Sequence, residues 1–121
     1  MLQPTPDQPI AIAPNPQRVR VVFNGRVIAD TRSALTLQES KLPAVQYVPR
    51  QDADMSVMAR SEHRTHCPYK GDASYFTLRV DDKEAIDAVW SYEAPNAPVA
   101  QVAGYLAFYP DRVDAIEELA D

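Results

Sequence analysis

The sequence predicts a mainly β fold: a small antiparallel domain with one or two short helices and a C-terminal helix. Three observations carry that reading. Proline is frequent and glycine scarce, 11 against 3 in 121 residues. Each proline inside a helix would remove a hydrogen bond and clash with the preceding turn. Two alternating, β-branched runs flank Asn24-Gly25, a dipeptide that readily takes the positive φ angles of a type I′ hairpin turn. Further short alternating or aromatic runs follow, each closed by proline, glycine or aspartate. The length is that of one ordinary domain. Such a chain buries roughly two thirds of its unfolded surface, so it needs neither metal nor disulfide to fold.

Taken in order, residues 1–17 carry five prolines (Pro4, Pro6, Pro9, Pro14 and Pro16) and little periodicity. They read as an extended arm of polyproline character, with a single β-rich domain over 18–121. Residues 18–23 and 26–30 are the hairpin. Leu35 and Leu37 alternate with Thr36 and Gln38, a strand that ends near Glu39. Residues 45–48 form a short strand stopped by Pro49. Met55 and Met58 stand at helical spacing behind Asp52 and Asp54, where the helix dipole favours acids, so residues 52–59 predict a short helix. Arg64, Thr65 and His66 lead into a turn over residues 67–71. Residues 73–80 are a strand with Phe76, Leu78 and Val80 on one face and Tyr75 and Arg79 on the other. Asp81-Asp82 makes the next turn. Residues 84–92 fit both periods, and their Trp90 end reads as strand. Pro98 opens a helical turn as its first residue, and Gly104 stops it. Residues 105–109 form a strand ended by Pro110. Residues 111–120 read as an acidic amphipathic helix with Val113, Ile116 and Leu119 on one side.

The net charge of −5 gives no basic face to displace counterions from phosphates, which argues against nucleic acid as a partner. Arg18 and Arg20 are the solvated side of a strand. No apolar run approaches a membrane span, and residues 1–16 lack the basic and apolar regions of a secretory signal. The single cysteine, Cys67, cannot form an intramolecular disulfide, so nothing points to an oxidising compartment. A cytoplasmic protein is expected, with no membrane partner.

Several segments together resemble a known family. They are Val27 to Asp30, the Glu39 segment, Tyr47-Val48-Pro49, Cys67-Pro68-Tyr69-Lys70-Gly71 with Ala73 and Tyr75, Trp90-Ser91-Tyr92 with Pro95, and Ala107-Phe108-Tyr109. This pattern, over about residues 18 to 110, resembles the bacterial and fungal domain-of-unknown-function family 427. The resemblance implies the β-tent, or Mss4-like, architecture of two small antiparallel sheets meeting at an angle. Other proteins of that architecture bind zinc through two Cys-x-x-Cys knuckles, which a chain with one cysteine cannot build. The family also carries a nucleotidyltransferase-like label. Such enzymes place a Gly-Ser turn before paired aspartates that hold two magnesium ions. The pairs here, Asp52/Asp54 and Asp81/Asp82, follow no Gly-Ser.

Three constellations carry chemistry. Cys67 stands three residues before Lys70, whose ammonium favours the thiolate, and His63 or His66 could act as its base. Free cysteines are also commonly buried as small hydrophobes. His63, His66 and Cys67 could alternatively ligate zinc, but on a strand the two histidines point to opposite faces, and structural zinc needs four converging ligands. No metal or other cofactor is expected. Glu39 beside Lys70 or Arg64 would be an ion pair or a general acid–base group.

Tyr47, Tyr75, Trp90 and Tyr92 have apolar bodies and polar ends. An apolar cleft with convergent polar groups is how ligand sites are built. The reading is a small polar or anionic molecule bound in a pocket lined by these four, with polar contacts from Glu39, Cys67 and Lys70 and with Arg64 and Thr65 at the rim. The alternatives are a thiol-dependent enzyme using Cys67 with Lys70 or His66, and an interaction module using the proline-rich arm.

Overall fold

The computed structural model describes residues 10–120. Its strands are β1 (Ile10–Pro14), β2 (Arg18–Phe23), β3 (Arg26–Thr31), β4 (Leu35–Glu39) and β5 (Val45–Tyr47), followed by β6 (Met58–Cys67), β7 (Gly71–Val80), β8 (Lys83–Ser91), β9 (Ala107–Phe108) and β10 (Ala115–Leu119). They form three antiparallel sheets, in the orders β1-β4-β5, β10-β2-β3 and β6-β7-β8-β9. Val48 and Leu106 exchange two backbone hydrogen bonds of 2.8 Å. This bridge stitches the first sheet to the four-stranded one.

The β2–β3 hairpin turns at Asn24 and Gly25, with φ of 50° and 77°, as the type I′ turn requires. Val19, Val21 and Phe23 alternate inward from β2 and meet Phe76, Leu78 and Val80 of β7. Burial of each such side chain stabilises the fold by about 1.5–3 kcal/mol. The outward Arg18 and Arg20 pair with Asp30 and Glu117. A second cluster gathers Leu37, Tyr47, Ala73, Tyr75, Tyr92, Val99 and Val102. β7 serves both: Ala73 and Tyr75 face the second cluster, Phe76 and Leu78 the first.

Four expectations change. The predicted C-terminal helix is strand β10, antiparallel to β2, with Ile116 opposite Val21. Val113 and Ile116 pack on the core either way; pairing with the open edge of β2 overrides the helical spacing. The short helix over 52–59 is two 3-10 turns, Arg50–Asp52 and Met55–Val57. Asp54 caps the second, its carboxylate accepting from Ser56 N at 3.0 Å. The strand over 105–109 shrinks to β9, because Leu106 turns to pair with Val48.

The expected arm divides. Residues 1–9 lie outside the described residues, while Ile10–Pro14 is a paired edge strand with Ala11 buried. Its one proline, Pro14, is compatible with the edge position of β1.

β8 is strand throughout, but kinked. Asp87, at φ 53°, breaks the register with β7 and donates its N–H to Thr77 Oγ1 at 3.2 Å. That bulge shifts the side-chain alternation mid-strand, which is why both periods fitted the sequence. No helix among the described residues is long and apolar enough to cross a membrane.

Candidate functional site

The turn over residues 67–71 sets one side of the site. Gly71 takes φ 105°, a conformation in which other residues are strained. The loop at Asn96 clamps the turn: its N–H donates to Lys70 O at 3.0 Å and its Nδ2 to Pro68 O at 3.1 Å. Lys70 is thereby aimed across to the end of β4, where it pairs with Glu39. Only 14% of the Lys70 side chain and 21% of the Glu39 side chain are exposed. The Lys70 ammonium also stands 5.9 Å from the centroid of the Tyr92 ring.

Beside this pair lies a cleft of about 760 Å³. Tyr47 enters it from β5, Tyr75 from β7, Trp90 from β8 and Tyr92 from just beyond β8, and Tyr109 follows β9. Leu42 and Pro43 border it from the β4–β5 loop, and Ile116 and Glu118 from β10.

The aromatic wall is cross-braced. Trp90 Nε1 donates to Tyr47 Oη at 3.2 Å, with the two rings edge to face at 6.3 Å. Trp90 and Tyr109 have centroids 4.5 Å apart. The Tyr75 hydroxyl bonds Thr65 Oγ1 at 2.8 Å and reaches the Tyr109 hydroxyl at 3.5 Å. Burial pushes the Tyr47 phenol up to about 12, against the opposing hydrogen bond from Trp90. Burial also raises Tyr92, and it raises Tyr109 with help from the Tyr75 hydrogen bond. The wall therefore presents neutral hydroxyls at physiological pH.

Of the residues the sequence singled out, Glu39, Tyr47, Lys70, Tyr75, Trp90 and Tyr92 share this cleft. Cys67 ends β6, half-buried, outside its lining. Neither proposed activator is joined to the thiol: Lys70 binds Glu39, and His66 Nδ1 binds Asp72 Oδ1 at 2.7 Å. His63 packs on the Tyr75 ring, with centroids 4.5 Å apart. Arg64, Thr65 and His66 border a separate depression of about 430 Å³; Thr65 reaches the aromatic wall only through Tyr75. No three of the described His, Cys, Asp and Glu residues converge as metal ligands. Asp52 accepts from Thr31 Oγ1 at 2.7 Å, and Asp54 from Ser56 and Arg26.

Sequence reasoning passed over Tyr109 and Glu118. Tyr109 carried a signal, as the second half of the Phe108-Tyr109 pair. Glu118 carried none, because its position at the cleft depends on β10. Also unread was Glu93, which takes both guanidinium nitrogens of Arg60 at 2.7 Å and Arg50 Nη1 at 3.3 Å. Both guanidiniums lie over the Phe76 ring, 5.1 and 5.4 Å from its centroid. The Arg60 hydrogen bonds hold the Glu93 carboxyl down at about 2, against its partial desolvation.

A search of curated proteins finds no match. The protein-family model described as a domain of unknown function (DUF427), labelled NTP_transf_9, matches residues 11–119. That span takes in β2 to β10, with both hydrophobic clusters and every residue of the cleft wall named above. The chain thus belongs to the domain-of-unknown-function family DUF427.

Proposed function

We propose that the domain binds a small polar molecule in the aromatic cleft. One observation supports this most: neutral tyrosine hydroxyls, an indole and a shielded Lys70–Glu39 pair meet at a single apolar cavity of about 760 Å³, within the size range of small-molecule sites. Apolar parts of the ligand lie between the rings. Its polar groups exchange hydrogen bonds with the phenols and the ion pair. Of the two chemistries the sequence suggested, polar and anionic, the wall favours the first. Lys70 is already neutralised by Glu39, and Glu118 adds a second carboxylate.

The thiol-enzyme reading has less support, since Lys70 binds Glu39, His66 binds Asp72 and His63 packs on Tyr75. The test is a thermal-shift screen of the wild-type protein against a metabolite panel. A hit should survive Cys67→Ser and be lost in Trp90→Phe and Trp90→Ala. A wild type that no metabolite stabilises, or a hit that both Trp90 variants retain, would overturn the cleft reading.

A further inference from the structure

The charges and rings of the cleft narrow the ligand further, an inference that rests on the cleft reading above. Three charged side chains border the cavity: Glu39, Lys70 and Glu118. No arginine is among its described lining. The one ammonium is spent on Glu39. Glu118 stands at the rim, with Asn15 Nδ2 donating to its Oε1 at 2.9 Å. The wall thus carries two carboxylates against one cation. An anion entering here would have to break the Lys70–Glu39 pair and then face both carboxylates.

The rings add attraction of the same sign. The face of an aromatic ring is electronegative and draws cations within about 6 Å of its centroid. Tyr92 already holds the Lys70 ammonium at 5.9 Å, so this wall accommodates positive charge. Burial keeps Tyr47, Tyr92 and Tyr109 un-ionised, so the wall's negative character comes from ring faces and carboxylates and does not switch near neutral pH. Apolar groups fill the remainder, including Leu37, Val45 and Ile116. A bare ammonium loses its hydration among such groups without replacement, whereas an alkylated one covers its charge with methyls that pack there.

We propose that the cleft takes an organic cation: a quaternary or trialkylated ammonium group seated against the tyrosine and tryptophan rings, balanced by Glu39 and Glu118.

Trp90 is the only tryptophan, so its emission reports the cleft directly. The probes are choline, its uncharged tert-butyl isostere neohexanol, and the corresponding tert-butylacetic acid anion. All three present nearly the same shape with charges of opposite sign or none. Choline should bind about tenfold or more tighter than neohexanol, and the anion weakest. Lys70→Met, which frees Glu39, should tighten choline several-fold, and Glu39→Gln should weaken it. If Lys70→Met does not fold, Glu118→Gln at the exposed rim serves instead and should weaken choline about two- to threefold by removing one screened charge.

Neohexanol equal to choline would overturn the proposal. So would the anion binding tightest and losing affinity in Lys70→Met, or none of the three probes changing Trp90 emission. If choline fails while a neutral metabolite still gives a Trp90-dependent thermal shift, the cation assignment falls and the cleft reading stands. If all Trp90-dependent shifts are absent, both fall.

Discussion

The indole N–H of Trp90 donates to the hydroxyl of Tyr47 at 3.2 Å, joining β8 of one sheet to β5 of another. Tyr47 is 1% exposed, so solvent competes little for its oxygen. Tyr47→Phe removes the acceptor and leaves the indole donor without this partner. The expected cost is about 1–2 kcal/mol, read as a lower midpoint in urea with an unchanged slope. The emission of Trp90 should shift to the blue as its hydrogen bond is lost. An unchanged midpoint would mean that the hydroxyl contributes nothing to holding the two sheets together.

The Lys70–Glu39 pair is shielded enough for its partners to be coupled. Lys70→Met leaves a carboxylate in the cleft wall, and Glu39→Gln leaves an ammonium. Each should destabilise by about 1–3 kcal/mol, and the double variant by less than their sum. Urea titrations of the four proteins measure the coupling. Simple additivity would reduce the pair to a surface contact.

Much of this arrangement was legible in the sequence because it depends on short-range chemistry. Asn24-Gly25 dictates its own turn, and the 67–71 segment carries a glycine where positive φ is needed. Tyr47, Tyr75, Trp90 and Tyr92 were visible as rings whose polar ends want a partner when buried. Glu39 and Lys70, 31 residues apart, were linked only as an option. Their meeting depends on how β4 and the β6–β7 turn dock, which no local pattern encodes. Glu118 stayed hidden for a different reason. Val113, Ile116 and Leu119 have helical spacing, yet residues 115–119 complete the edge of β2; long-range pairing decides a short amphipathic segment. Glu93 was unread because its two arginines come from distant segments of the chain.

Glu93 makes stability depend on acid. Its folded carboxyl titrates at about 2, against an ordinary value of 4.5, so the folded state favours the ionised form. That contribution is fully present above pH 4.5 and is lost as pH falls from there toward 2. With 35% of the side chain exposed, screening limits it to about 1 kcal/mol. Glu93→Gln should lose this increment at pH 7 and show a flatter stability profile between pH 5 and 2 than the wild type. Parallel profiles would show that the Arg60 and Arg50 contacts do not act through its charge.

Gly71 positions Lys70. At φ 105°, a Cβ would stand 3.4 Å from both Asn96 N and Asn96 Oδ1, so Gly71→Ala meets backbone strain and a tight neighbour together. The expected loss is about 1–3 kcal/mol. The turn should also move off Asn96, loosening Lys70 from Glu39. Gly71→Ala combined with Glu39→Gln should then cost less than the two changes added, which a double-mutant cycle in urea would measure. Full additivity would separate the turn from the ion pair.

The identity of β10 is tested by removing it. Truncation after Asp114 retains the Asp114 N–H bond to Val22 O at 2.8 Å but strips Ile116 from the core and Glu117 from Arg20. Stability should fall by about 1–3 kcal/mol from lost packing and ladder pairing. The open edge of β2, rich in valine, should then promote self-association that dilution reverses. Far-ultraviolet circular dichroism should show no loss of helical signal at 222 nm, because the segment is strand. A drop in that signal on truncation would restore the helix that the spacing of Val113, Ile116 and Leu119 suggests, and would remove Glu118 from the cleft.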